Sequence, residues 1–502
     1  MKQYFLSLCL LFAGLTASAQ LASDALRYSV LRPSGTARFL GAGGAFGALG
    51  ADFGSISQNP AGLAMYRSNE LVVTPAIRFA RSETGIPGTG NERFDDDDSA
   101  FGFDNFGMVF NTSPTNKRWK TFNVAIGVNR QSNYRQALYY EGAAPGSIIN
   151  MFYDNAKPLA TKYVTNPDDQ KQLDLLADNL YPFAEGLAWN ATALYYQDGV
   201  FTSDFQGNRD TLVTRSHKVS TRGKMDEMVL AFAGNYDERL MVGATVGVPF
   251  VSYTLEGEYV ERDDAGLVKY FDNLTYTDYL KTTGIGINLK LGLQYKVNQA
   301  LRLGAAFHTP TRLGLTDKSS TSLIYAYTNN SGPNVSDEKR SPEGTSDYRL
   351  TTPWRAIGSA AVVLKKYGFV SADVEWVDYG TSAFKFGGSG ATTADEASER
   401  QENATIEREY GSALNMRFGG EAVLGKFRLR AGVNLQGKPA KTEDGFNVAY
   451  TAGGGVRADA FYLDLGWRRY TGNGSAQPYV GAPLASSTNS SNDLILTLGF
   501  KF

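Results

Sequence analysis

Alternation with a period of two dominates the second half of this chain, and it restricts the fold more than any other feature. In 426–436 (KFRLRAGVNLQ), Phe427, Leu429, Ala431, Val433 and Leu435 fall on one face, and Arg428, Arg430, Gly432, Asn434 and Gln436 on the other. Residues 285–296 set Ile285, Ile287, Leu289, Leu291, Leu293 and Tyr295 against Asn288, Lys290, Gln294 and Lys296. In 461–468, Phe461, Leu463, Leu465 and Trp467 oppose Asp464 and Arg468. Each segment reads as a strand with an apolar row turned to one medium and a polar row to another. In a soluble sandwich the apolar row would be core. In a membrane-spanning barrel it faces lipid, and the charged row lines the lumen.

Connection lengths choose the barrel. Strands are predicted near 70–80, 101–111, 121–131, 227–236, 240–253, 281–296, 300–311, 355–364, 367–379, 411–424, 426–437, 447–457, 459–470 and 492–502. The links at 112–120, 237–239, 297–299, 365–366, 425 and 458 are short. Those at 81–100, 132–226, 254–280, 312–354, 380–410, 438–446 and 471–491 are mostly long. An even strand count with short turns at one rim and long loops at the other is the signature of an all-β, 14-stranded antiparallel transmembrane β-barrel, with both termini at the periplasmic rim. The last strand alternates Leu494, Leu496, Leu498 and Phe500 and stops on Phe502. It resembles the signal read by the outer-membrane barrel assembly machinery, an expected partner during biogenesis.

The N-terminus fits export. Lys2 precedes a short apolar stretch at 4–15, and Ala17-Ser18-Ala19 reads as a cleavage site, so 1–19 is a predicted signal peptide and the mature chain starts at Gln20. The stretch falls short of the ~20 residues of a membrane helix. Cys9, the one cysteine, lies within this leader, so the mature chain has no thiol chemistry and no disulfide. The net charge of −2 gives no basic footprint for nucleic acid, and two histidines leave little for histidine catalysis or a multi-histidine metal site. No nucleophile–base constellation is visible, so no enzyme, no metal and no cofactor are expected. The location is the outer membrane of a Gram-negative cell, in contact with its lipid and lipopolysaccharide, as a monomer.

Residues 20–69 do not read as barrel strands. Gly41 to Gly50 is almost all glycine and alanine, which suits backbone packed on backbone, and Asn59-Pro60-Ala61-Gly62-Leu63 follows. Phe46 occupies the place of the third glycine of a dinucleotide fingerprint, so that motif is absent. Gly43-Gly44-Ala45, Asp52 and Asn59-Pro60-Ala61-Gly62-Leu63 resemble the N-terminal hatch of the FadL/TodX-type transporters of long-chain fatty acids and aromatic hydrocarbons. Pro310, Pro353, Asp373, Trp376, Tyr379, Arg417-Phe418-Gly419-Gly420-Glu421 and Leu429-Arg430-Ala431-Gly432 are similar to its later pattern. The resemblance implies a barrel over 70–502 plugged by a hatch at 20–69. It also implies capture of ligand at the outer loops, a pocket beside the hatch, and exit through a gap in the wall. The hatch residues it marks are Asn59, Pro60, Ala61 and Gly62.

The expected function is passive transport of hydrophobic small molecules, long-chain fatty acids foremost. The alternatives are a hemin receptor or porin, and a secretion-associated barrel that carries no small molecule. The ligand pocket is expected at Phe46, Phe53 and Leu63. Outer capture is expected on a helix of the 132–226 insert, capped by Asn166 and bearing Leu173, Leu176 and Leu180, residues that could equally form a self-packed lid. The run Asp95 to Asp98 is expected as a solvated acidic loop rather than a cation site. Lumen charges at Lys290, Arg302, Asp373, Glu375, Arg417, Glu421, Arg428, Arg430, Asp464 and Arg468 are expected to pair with one another and with the hatch. His308 is expected inward as a hydrogen-bonded residue, and His217 in a loop.

Overall fold

The computed structural model describes residues 18–32, 34–87, 93–114 and 118–502, so most of the predicted leader lies outside the described residues. Fourteen antiparallel strands close into one barrel. They are β1 (Glu70–Gly85), β2 (Phe94–Thr112), β3 (Trp119–Asn133, resuming as Gln136–Pro145), β4 (Leu212–Tyr236), β5 (Leu240–Arg262) and β6 (Phe271–Lys296). Next come β7 (Leu301–His308, resuming as Arg312–Asn329), β8 (Gly344–Thr351, resuming as Arg355–Val363) and β9 (Gly368–Asp378, resuming as Ala383–Phe386). The last five are β10 (Ser412–Leu424), β11 (Phe427–Gly437), β12 (Phe446–Arg457), β13 (Phe461–Ala476) and β14 (Ala485–Lys501). Closure comes from β1 on β14, with Glu70 opposite Lys501. Leu291, Leu293, Leu463, Leu465, Leu494 and Leu496 stand exposed on the outside, while Lys290, Asp464 and Thr497 on the other face are buried. The alternation therefore reports lipid against lumen.

The strands run further from the short-turn rim than their alternation does. β4 starts at Leu212 and β6 at Phe271, and β7 and β8 continue through segments predicted as loop. Beyond the membrane both faces of a strand meet water or loop, so nothing selects an apolar row there. The acidic run is strand for the same reason: Asp95 to Asp98 pair with 80–83 of β1, and Arg81 and Arg135 hold Asp95 and Asp98. The short turns need little chain. Three residues join β4 to β5, and Asp237 and Glu238 among them both take positive φ to turn the chain so tightly.

The insert is accordingly shorter than predicted, 146–211, and more helical. It carries α3 (Ile148–Tyr163), α4 (Gln170–Asn179) and α5 (Glu185–Asn190), after α1 (Ser18–Ser29) and α2 (Ala37–Gly41) in the N-terminal segment. A further helix, α6 (Thr393–Glu409), lies between β9 and β10. Asp169, not Asn166, caps α4, its side chain accepting from Lys171 N. The insert packs as a roof: Leu176, Leu180, Ile149, Phe152 and Phe205 share a buried cluster with Tyr259, Phe271 and Tyr325 of β5–β7. Helices α3 and α6 escaped the sequence reading because Pro158 interrupts the first and the second has few apolar residues.

The N-terminal segment lies inside the barrel. Ala22, Ala25 and Tyr28 of α1 pack in one cluster with Met225, Leu313 and Ile406, the last on α6. The described N-terminus therefore points toward the long-loop rim, while β14 ends at the short-turn rim. The first described residues and the end of β14 thus lie toward opposite rims, whereas both termini were expected at one rim; residues 1–17 lie outside the described residues.

Candidate functional site

Two short 3-10 helices, Phe53–Ser57 and Pro60–Met65, fill the lower lumen, their backbones pressed on the wall. Glycine makes this possible, because a Cβ on the wall would occupy the same space. Cross-strand glycine pairs provide the seats. Gly107 with Gly127 receives the Phe53 ring, and Gly243 with Gly292 receives Asn59-Pro60-Ala61. Gly419 with Gly432 receives Ala42-Gly43, and Gly453 with Gly466 lies under α2. Gly304 on β7 seats Gly47 in the same way.

Asn59 is fully buried and ties this packing together. Its Nδ2 donates to Gly47 O at 2.6 Å and to Leu293 O of the wall at 3.1 Å, and its Oδ1 accepts from Ala61 N at 3.1 Å. Pro60 begins the second 3-10 helix, where no N–H is needed. Ala61 and Gly62 are buried beside it. Phe46, Phe53 and Leu63 are completely buried in contacts between the segment and the wall and line none of the cavities described below. Leu173, Leu176 and Leu180 belong to the roof's core, the last two buried within it.

Most of the lumen charges form networks, as expected. Glu375 holds Arg355 and Arg417, each at 2.6 Å. Glu421 and Asp464 share Arg430, at 2.7 and 2.8 Å, and Arg38 of the N-terminal segment reaches Glu421. Lys290 pairs with Glu227, a partner on β4. Asp373 accepts from Gly47 N and from Gln58 Nε2. Arg302 and Arg428 make no ion pair among the described residues; Arg428 donates to Gly425 O and Phe427 O instead. Both histidines are buried. His308 Nε2 is 2.9 Å from Gln58 O, and His217 is in β4, not a loop, edge-on to Tyr140 and Tyr259. No group of residues suited to a metal ion occurs among the described residues.

Among the described residues the wall is interrupted, with access to the lumen, between β2 and β3. The β2–β3 ladder runs only from Thr112 opposite Phe122 to Asn105 opposite Asn129. Beyond it β3 bulges between Arg130 and Ser132 and turns inward, with 129–132 buried. Its freed carbonyls need new donors. The N-terminal segment supplies them: Arg32 N donates to Gln131 O at 2.9 Å and Ser34 N to Arg130 O at 3.0 Å. The opening so formed is a cavity of about 460 Å³ between Gly102–Phe106 and Val128–Asn133. Phe101, Phe103 and Phe106 stand exposed on its lipid side. Arg130 and Arg135 bridge it, to Phe103 O and to Asp98.

Two further cavities continue the opening inward. A narrow neck of about 120 Å³ shares Arg78, Arg130, Asn133 and Arg135 with it. A vestibule of about 570 Å³ beside α1 shares Arg32, Gln136, Gln436 and Asn447 with the neck. A continuous polar path thus leads from the long-loop side to the wall opening, above an axis filled by the N-terminal segment. Sequence reasoning identified Arg417 and Arg468 as lumen-facing but missed the neck, whose other arginines come from β1, β3 and the N-terminal segment.

No protein-family model matches the sequence, and no curated protein matches it. Solved structures do match. The Pseudomonas putida toluene transporter TodX is similar over 94% of this chain and 100% of its own, at 12% identity and a TM-score of 0.53. A Pseudomonas aeruginosa FadL homologue matches over 94% and 100%, at 13% identity and a TM-score of 0.54. The Ralstonia pickettii toluene transporter TbuX matches over 93% and 98%, at 14% identity and a TM-score of 0.50. The chain has the fold of the FadL/TodX-type barrels.

Proposed function

We propose that this protein is an outer-membrane channel that takes up small molecules with an apolar body and releases them sideways through its wall. The observation that carries the reading is the break in the β2–β3 ladder, rimmed by phenylalanines and joined to the lumen above a filled axis. A solute following the axis would have to dislodge a hatch seated on glycine pairs. One following the neck meets the opening without moving it. The neighbouring structures that carry toluene-transporter and FadL descriptions support the same class. Hemin is disfavoured, because both histidines are buried in the fold, His308 beside Gln58 O and His217 packed between Tyr140 and Tyr259.

Gly102 faces the mouth of the opening, with Arg130 the nearest group to an added side chain. Gly102→Trp should fill that mouth and abolish uptake of radiolabelled toluene and oleate into cells that depend on this channel. Arg135→Ala removes a bridge to Asp98 and should raise it. Unchanged uptake with a folded Gly102→Trp barrel would refute lateral release.

A further inference from the structure

The neck is more basic and more polar than an apolar solute needs. Arg32, Arg78, Arg130, Arg135, Arg417 and Arg468 line it, together with asparagine, glutamine and serine, and Asp493 is the carboxylate among its lining residues. The other carboxylates that hold these arginines are not part of that lining: Asp104 for Arg78, Asp226 for Arg130, Asp98 for Arg135 and Glu375 for Arg417. A guanidinium has five N–H donors and no acceptor, so one carboxylate does not exhaust it. The lining therefore presents donors in excess.

Two of these groups are short of partners. Arg417 is 5% exposed and shares Glu375 with Arg355, and its buried Nη1 has no hydrogen-bond partner. Asp373, opposite it across the strands, directs Oδ2 to Gly47 N and Gln58 and makes no ion pair among the described residues. Arg32 stacks over the Tyr470 ring at 4.1 Å and donates to its hydroxyl, with no carboxylate paired to it among the described residues. A buried donor left unmade is costly, and an oxyanion satisfies several guanidinium N–H groups at once. Size sets the other limit. A cavity of about 150 Å³ holds a benzene ring, so the neck, at about 120 Å³, takes the charged end and leaves the ring to the adjoining opening of about 460 Å³.

We propose that the neck is a carboxylate-binding constriction, and that the solute it selects is a compact organic anion. The carboxylate sits among Arg32, Arg417 and Arg468, and the body is about one ring in size. The inference rests on the lateral passage proposed above and names its substrate class. The apolar body suits the phenylalanine rim, and the charged end suits the neck.

The test is calorimetric titration of the purified full-length barrel in detergent with benzoate, with toluene as its neutral counterpart, and with oleate. Benzoate is expected to bind at least about tenfold more tightly than toluene, a difference of about 1.4 kcal/mol. Arg32→Gln and Arg417→Gln should each lose most of that advantage. Arg32→Gln removes no ion pair and so tests the site without disturbing the fold. Equal binding of toluene, or benzoate binding unchanged in folded Arg32→Gln and Arg417→Gln, would overturn the proposal. Oleate displacing benzoate at lower concentration would do the same. Gly102→Trp should keep benzoate binding while losing uptake. Binding kept with uptake unaffected would condemn lateral release and leave the anion site standing. Uptake lost with no benzoate binding in the unsubstituted protein would do the reverse.

Discussion

Asn59 and the glycines opposite it show how one side chain can hold two layers of backbone together. Its amide serves the carbonyl of Gly47 within the segment and that of Leu293 in the wall, and Gly292 leaves room for it. Asn59→Ala should cost about 1–3 kcal/mol, since buried carbonyls lose their donor. Gly292→Ala should cost a similar amount, about 1–3 kcal/mol, through overpacking against the Asn59 amide. Urea unfolding of the two variants, read by the mobility shift of the folded barrel, checks both. Neither loss would appear if the segment were loosely held. The asparagine and proline were legible in the sequence through the resemblance of Asn59-Pro60-Ala61-Gly62 to the FadL/TodX-type hatch. The glycine seats were not, because a glycine in a strand says nothing of what approaches it. The pairing of Gly243 with Gly292 depends on the register of two strands far apart in sequence. Arg417 and Arg468 were legible as lumen-facing from alternation alone. Which carboxylate stands beside each also depends on register.

At the scale of elements, legibility follows the membrane. Where lipid lies on one side, as along Leu289 to Tyr295, alternation fixes strand and face. Where it does not, as in 312–329, the strand continues unseen. The roof illustrates a second limit. Its leucines were legible as one helix face, yet the face is covered by the aromatic residues of β5–β7, which only the tertiary structure brings there. Helix α3 is fixed at its start by Ser147, whose hydroxyl accepts from Ile149 N, and by Glu261 of β5, which accepts from Ile148 N at 2.9 Å. A charge placed in this core has no partner. Leu176→Asp should destabilise the roof by about 3–5 kcal/mol, as an unpaired buried carboxylate does. Limited proteolysis should then cut within 146–211 while the barrel stays heat-stable. Resistance equal to that of the unsubstituted chain would mean that the roof does not depend on this cluster.

For the whole molecule, the N-terminal segment and the wall opening form one device. β3 leaves β2 at Asn129, and what holds it inward is the chain from Val30 to Ser34. Ser132 Oγ donates to Val30 O at 3.1 Å, and Arg32 N and Ser34 N satisfy the two carbonyls that β2 has abandoned. Unpaired backbone groups beside lipid are expensive, several kcal/mol each, so the opening exists only while those donors are present. A mature chain that starts at Gly35 keeps Asn59, Pro60 and every glycine seat, and the same fourteen strands can still close. In that chain β3 should swing back onto β2 beyond Asn129 and extend the ladder toward Gly102. Cysteines introduced at Gly102 and Ser132 report the movement cleanly, because Cys9 is the sole native cysteine and lies in the predicted leader. The truncated barrel should cross-link between them and lose uptake. The full-length barrel should remain uncross-linked and active. If the truncated chain folds, stays uncross-linked and transports normally, the opening belongs to the wall alone and the N-terminal segment is only a plug.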